Sequence, residues 1–220
     1  MNPSFYWPAS KSSAIMVAED IINSDVCDGI IRECGLYYSS LFSPGPVVSG
    51  IFPSIKSSMD FNWSEDVLRS VGVPHGPLTT YEHEVVSSLW VAIAYYRENF
   101  RWLWDWEGMC DTGFRLQHYK RGIGHYREHI DGGPGESAVS ARMLGVVIYL
   151  NTVDVGGSTF FREHDIHVPA KRGSIAIFPA NWTHPHQGCV PLSGDKWIVS
   201  TFILKPSQDG ILETGNEHLL

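Results

Sequence analysis

A chain of 220 residues is long enough for one ordinary domain with a sizeable core, and 43% hydrophobic with 12% aromatic residues is the composition of a folded protein. A formal net charge of −8, with no run of Lys or Arg, offers no track for phosphates and argues against a nucleic-acid partner. No stretch approaches the roughly 20 uninterrupted apolar residues of a membrane span, and Met1–Ser10 lacks the basic and apolar regions of a secretory signal.

The predicted elements change character along the chain, mostly helical from Val17 to Phe100 and then short strands between Gly/Pro turns from Phe114 to Lys205. Asp25 can cap a first helix that runs through Ile30 and Ile31 to Gly35, a plausible stop. Cys27 and Cys34 lie two helical turns apart on it and face one core surface. With Cys110 and Cys189 they form no C-x-x-C spacing, so free thiols and a reducing cytoplasm are expected rather than disulfides or a zinc site. Ser39–Pro53 reads as loop. Ser64-Glu65-Asp66 signals a second, short helix ending near Gly72. The clearest helix starts near Thr79 or Thr80, where Glu82 and Glu84 suit its positive end, and Val85, Val86, Leu89, Trp90, Ile93 and Tyr96 recur at helical spacing as a face packed on a sheet.

Strand candidates follow at Phe114–Lys120, Arg142–Asn151, Ser158–Glu163, Ser174–Pro179, Pro185–Val190 and Lys196–Lys205, with tight turns at Gly156-Gly157 and Ser193-Gly194-Asp195. Helices first and strands afterwards predict an α+β layout with helices against one face of an antiparallel sheet pair, for which a double-sheet jelly roll suits the strand count. Pro206–Leu220 is a polar tail. Ser39–Pro53 and Gly132–Ser140 read as connectors or lids.

Among ten histidines only His129 has a carboxylate two positions later, Asp131. On a strand the two would share a face and could clasp one ion; a surface His beside a loop Asp is the other reading. Two imidazoles and one carboxylate leave half of an iron's coordination sphere open. The second imidazole comes from His186 or from His184, which an extended segment would turn the same way.

The ordered set Tyr119-x-x-Gly122-x-x-x-Tyr126-x-x-His129-x-Asp131, Arg142, Tyr149-Leu150-Asn151, Gly156-Gly157-Ser158-Thr159-Phe160 and His186-x-Gly188-Cys189, with Gly194-Asp195-Lys196-Trp197 after it, resembles the prolyl 4-hydroxylase-like branch of the Fe(II)/2-oxoglutarate dioxygenases over about Phe114–Leu204. The resemblance implies a double-stranded β-helix (jelly-roll, cupin-like) core buttressed by N-terminal helices in a single domain. That domain comprises a mainly helical part over 1–113, a catalytic core over 114–205 and a tail over 206–220. It implies a facial triad of His129, Asp131 and His186 for Fe(II), the ten-residue spacing to Lys196 favouring His186 over His184.

Lys196 would meet the far carboxylate of 2-oxoglutarate, with Tyr119, Thr159 and Tyr149 around that co-substrate and Tyr126 and Arg142 at the acceptor. Taken alone, Lys196 could be a solvated hairpin lysine, the Tyr and Thr residues ordinary strand residues, and Arg142 half of a surface ion pair. The implied activity is hydroxylation of an aliphatic C–H bond using O2 and 2-oxoglutarate, with ascorbate as a possible reductant. A prolyl residue in a protein or peptide is the first choice of acceptor, and a free amino acid or other small molecule the second. The final strand, Ser200–Leu204, is apolar where several peptidyl-proline hydroxylases carry polar residues or tryptophan, and Val190-Pro191 reverses the usual order, so the acceptor stays open. Rival readings are a non-catalytic cupin-like metal-binding module and a hydrolytic or isomerising enzyme with a non-redox ion. The non-catalytic module has no evident need for Lys196.

Overall fold

The computed structural model describes residues 2–64, 68, 77–100, 108–133 and 139–204. The expected helix after Ser64, most of the Gly132–Ser140 loop and the tail from Pro206 lie outside the described residues. Helix α1 spans Ser24–Tyr37, and its cap is Asn23 rather than Asp25: the Asn23 side chain accepts a hydrogen bond from the Asp25 N–H, leaving Asp25 in the first turn beside the positive helix end. Gly35 does not stop it. A terminal glycine does so by turning left-handed, and Gly35 has no positive φ. Cys27, Ile30 and Cys34 form its buried row, and Cys27, Cys34 and Cys189 are free thiols. Helix α2 spans Pro77–Phe100, opening on a proline whose fixed φ suits a first turn, two residues before the expected start. Val85, Leu89, Ile93 and Tyr96 are buried as the spacing predicts, and α2 packs on α1 and on the large sheet. No helix among the described residues is long and apolar enough to cross a membrane.

The strands are β1 (Ser4–Tyr6), β2 (Met16–Glu19), β3 (Ser43–Pro44), β4 (Lys56–Ser57), β5 (Met59–Trp63), β6 (Cys110–Asp111), β7 (Phe114–Tyr119), β8 (His125–His129), β9 (Arg142–Tyr149), β10 (Thr159–Phe161), β11 (Ile166–Val168), β12 (Ser174–Pro179), β13 (His186–Gly188) and β14 (Lys196–Leu204). They form two antiparallel sheets. The large one runs β1-β2-β12-β9-β14-β7-β5-β3, with β6 also on β14, and the small one runs β11-β10-β13-β8-β4. Tyr119, Tyr149, Phe161, Phe178 and Ile198 belong to one core cluster fed by both sheets, while Leu116, Ile148, Ile175, Ile177 and Val199 belong with the helices. Alternation along β14 shows the cause: Ile198 goes to the first cluster and Val199 to the second. This is the expected jelly roll with helices on the outer face of its large sheet.

The expectation of a mainly helical part over 1–113 misses β1–β6, which extend both sheets. The reason is physical. Met16, Val17 and Ala18 of β2 are all buried, so its sequence shows no alternation, and β3, β4 and β6 are only two residues long. Strand β8 also escaped the hydrophobic pattern, because Tyr126 is the one hydrophobic residue in His125–His129.

Candidate metal centre

Three chain segments converge between the sheets. His129 ends β8 and His186 begins β13, and the two are direct cross-strand partners. Asp131 lies in the bend beyond β8, so the same-strand reading of His129 and Asp131 is corrected: the chain leaves the ladder at Ile130 and turns the carboxylate back. Two features hold that bend. The Gly132 N–H donates to the Ala180 carbonyl at 2.6 Å, and Gly145 on β9 leaves room for the carboxylate, since a Cβ there would stand 2.6 Å from Asp131 Oδ2. His129 Nε2 lies 3.4 Å from Asp131 Oδ1 and His186 Nε2 3.6 Å from Asp131 Oδ2, with one ligand atom from each residue within 4.8 Å of the others.

Both imidazoles are oriented alike. His129 Nδ1 donates to the Arg127 carbonyl at 2.8 Å and His186 Nδ1 to the His184 carbonyl at 3.1 Å, which leaves each Nε2 as the lone-pair atom facing Asp131. Burial pushes the His186 imidazole towards its neutral form, against the pull of Asp131. Burial would raise the Asp131 carboxyl, but His186, His129 and Arg142 outweigh it and hold the group below the usual carboxylate range. Neutral imidazoles and an ionised carboxylate are the states that bind a divalent metal. His184 is elsewhere: its Nε2 meets the Ser13 carbonyl at 2.7 Å and its ring stacks on His164.

A small inner cavity of about 70 Å³ leads from this cluster to Lys196, and Tyr119 and Thr159 line it. Lys196 is buried, 2% exposed; its Nζ donates to the Gly157 carbonyl at 3.1 Å and stands 4.7 Å from the centre of the Tyr119 ring. No carboxylate among the described residues pairs with it. Burial pushes its pKa down to about 8. The solvated-lysine reading is therefore corrected: residue alternation on β14 turns Lys196 inward with Ile198. Tyr149 does not line the cavity, and its hydroxyl lies 2.7 Å from the Thr159 hydroxyl, behind it.

On the other side, the cluster opens into a cavity of about 630 Å³, where Tyr126, Arg142, Arg115 and Phe202 form part of the wall. The Tyr126 ring stacks on His129 with centroids 3.6 Å apart. Arg142 is no half of a surface ion pair: its Nη1 donates to the Asp131 carbonyl at 3.0 Å and its guanidinium lies 3.8 Å from the centre of the Phe202 ring.

Sequence reasoning missed several wall residues. Gln117 and Ser200, bonded at 2.7 Å, line both cavities. Alternation from Tyr119 along β7 was the signal that could have found Gln117 and Arg115. Lys56 and Asp60, a buried pair at 2.6 Å, had no such signal, because their strands were not visible in the pattern.

The model of the 2OG-Fe(II) oxygenase superfamily matches residues 114–204. Human prolyl 4-hydroxylase subunit alpha-3 is 33% identical over 109 residues, covering 43% of this chain and 20% of the relative, and the mouse protein of that name is 32% identical over the same length. The chain thus spans about a fifth of the length of these curated relatives. Among solved structures, a Trichoplax adhaerens prolyl hydroxylase in complex with a hypoxia inducible factor peptide fragment superposes with a TM-score of 0.66 at 14% identity, over 89% of this chain and 85% of that one. The viral collagen prolyl hydroxylase of Paramecium Bursaria Chlorella virus-1 does so with 0.62 at 18% identity, over 89% and 98%. A Pseudomonas putida prolyl-4-hydroxylase gives 0.63 at 14% identity, over 89% and 95%. At these identities the structures speak for the fold alone. Over residues 114–204 the chain is similar in sequence to the 2OG-Fe(II) oxygenase superfamily, and its jelly roll is the fold of these prolyl hydroxylases.

Proposed function

We propose that the protein is an Fe(II)- and 2-oxoglutarate-dependent dioxygenase that hydroxylates an aliphatic C–H bond, with a prolyl residue of a protein or peptide as the first candidate acceptor. The observation that carries this reading is the junction of the His129–Asp131–His186 cluster with the Lys196 cavity. A buried ammonium without a counter-ion is costly, and a dicarboxylate reaching from the metal to Lys196 removes that cost. A non-catalytic metal module or a hydrolytic enzyme supplies no reason to keep it.

In this reading His129, Asp131 and His186 hold the ferrous ion, their donor types suiting it. The bound ion supplies the redox chemistry by which O2 and 2-oxoglutarate yield succinate, carbon dioxide and a hydroxylated acceptor, with ascorbate as a reductant that keeps it ferrous. The protein's own residues position and shield. Lys196 receives the far carboxylate of 2-oxoglutarate, Tyr119 and Thr159 offer hydroxyls beside it, and Tyr149 orients Thr159 through the bond between their hydroxyls. Tyr126 and Arg142 border the acceptor, Arg142 also fixing the Asp131 backbone. Free thiols at Cys27, Cys34 and Cys189 suit a reducing compartment such as the cytoplasm.

Anaerobic titration of the protein with Fe(II) and then 2-oxoglutarate tests this directly. A weak visible charge-transfer band is expected in the wild type and is absent in His129→Ala. A wild type that develops no band overturns the proposal.

A further inference from the structure

Strand register arranges the inward face of the large sheet in rows. Lys196 pairs with Tyr119, Ile198 lies between Gln117 and Tyr149, and Ser200 lies between Arg115 and Val147. Asn62 flanks Arg115 on its other side. Residues two apart share a face, so Tyr119, Gln117 and Arg115 all point inward. At roughly 3.3 Å per residue, Arg115 sits about 13 Å along the strand from Tyr119. Lys196 and Arg115 therefore stand at opposite ends of the interior. The metal cluster is between them, since His129 and Asp131 line both the inner cavity and the larger one. A co-substrate anchored on Lys196 leaves Arg115 unused.

Arg142 joins Arg115 in the wall of the larger cavity. Among the described residues each guanidinium makes a hydrogen bond inside the protein, Arg115 Nε to Asn62 Oδ1 at 3.1 Å and Arg142 Nη1 to the Asp131 carbonyl at 3.0 Å. Each carries five N–H donors in all. Lys56, the other cation of this wall, is neutralised by Asp60 at 2.6 Å. Among the described residues lining the cavity the one carboxylate is Asp131, which faces the two imidazoles, and among the described residues no carboxylate forms a salt bridge with either arginine. Arg115 and Arg142 are thus like charges in the wall of one cavity. An anion between the two guanidinium groups relieves this repulsion. In a chain with a net charge of −8, such a pocket is a local exception.

We infer that the acceptor carries a carboxylate, received by Arg115 and Arg142 while a neighbouring C–H group faces the metal cluster. The inference rests on the dioxygenase reading for what occupies the inner end, and it makes Arg115 a specificity-determining residue. Guanidinium and carboxylate match in planar, two-bond geometry, which fixes orientation as well as affinity. The carboxylate can come from a free acid or from an acidic side chain of a peptide, and both sources present the same chemistry to the pair.

The test uses full-length protein loaded with Mn(II) and 2-oxoglutarate, read by calorimetry without turnover. One probe pair is N-acetylproline against N-acetylprolinamide. The other is N-acetylprolylglutamate amide against N-acetylprolylglutamine amide. In at least one pair the acid binds about tenfold or more tightly than its neutral partner, and the preference shrinks as salt is raised. Arg115→Gln reduces the preference to within about twofold and Arg115→Lys retains part of it, while 2-oxoglutarate affinity stays at the wild-type value in both. The pair that shows the preference names the source. Acids that bind no better than their partners, including no binding by either, overturn the inference, as does a preference that survives Arg115→Gln. Failure of 2-oxoglutarate itself to bind removes the dioxygenase reading instead, and the acid comparison on Mn(II)-loaded protein still reports on the arginines.

Discussion

Lys196 is a charge held where charge is expensive. With its pKa near 8 in the fold and its ordinary 10.5 in an unfolded chain, the unfolded state binds more protons between those two values. Stability from this residue therefore rises as pH goes from about 8 towards 10.5. Binding of a dicarboxylate asks for the opposite state. The affinity for 2-oxoglutarate is expected to hold below pH 8 and to fall about tenfold per pH unit above it. Isothermal titration across that range measures the slope, and the slope disappears in Lys196→Met. That variant also loses roughly 10- to 100-fold in 2-oxoglutarate affinity with iron binding retained. Iron lost in equal measure would show Lys196 to be a support of the metal cluster instead.

At the scale of the elements, β9 shapes the metal site without offering it a ligand. Its neighbours β12 and β14 hydrogen-bond it on both sides, so its backbone cannot retreat. A methyl group on Gly145 meets both Asp131 Oδ2 and the Phe178 ring at 2.6 Å. Gly145→Ala is expected to displace the carboxylate and weaken metal binding by about 10- to 100-fold, with the far-ultraviolet circular dichroism unchanged. Titration with Mn(II) followed by electron paramagnetic resonance checks this, and wild-type affinity would show that Phe178 gives way instead.

Gly145 was invisible in the sequence because nothing local marks a glycine whose neighbour comes from another segment. His129, Asp131, His186 and Lys196 were legible because their chemistry imposes residue type and spacing together. His184 was separable from His186 only through the Gly188-Cys189 context and the ten-residue interval to Lys196; in the fold its Nε2 is taken by the Ser13 carbonyl. The strands of the catalytic half showed themselves through apolar runs and turns. Strand β8, which delivers His129, did not, since its residues answer to the site rather than to the core.

For the whole molecule, the three residues of the candidate metal cluster come from two cross-strand partners and the bend beside them, so an ion bound there would clamp the small sheet. At a free-metal concentration of about 100 times Kd, binding adds roughly 2.7 kcal/mol to the folded state. In a chain of this size that corresponds to a rise of about 5–10 °C in Tm. Calorimetric scans with Mn(II) and with chelator are expected to differ by that much in the wild type and to coincide in Asp131→Ala.

The family match begins at residue 114, yet the sheets do not. Strands β2, β5 and β4 lie beside β12, β7 and β8, so cutting the chain at residue 113 would bare three strand edges at once. Two of those bared strands carry Tyr119 and His129 at their ends. The segment that bears the chemistry is thus not a portable cassette. Grafted alone onto another protein it would expose backbone ready to aggregate, and a working transplant must bring the N-terminal strands with it.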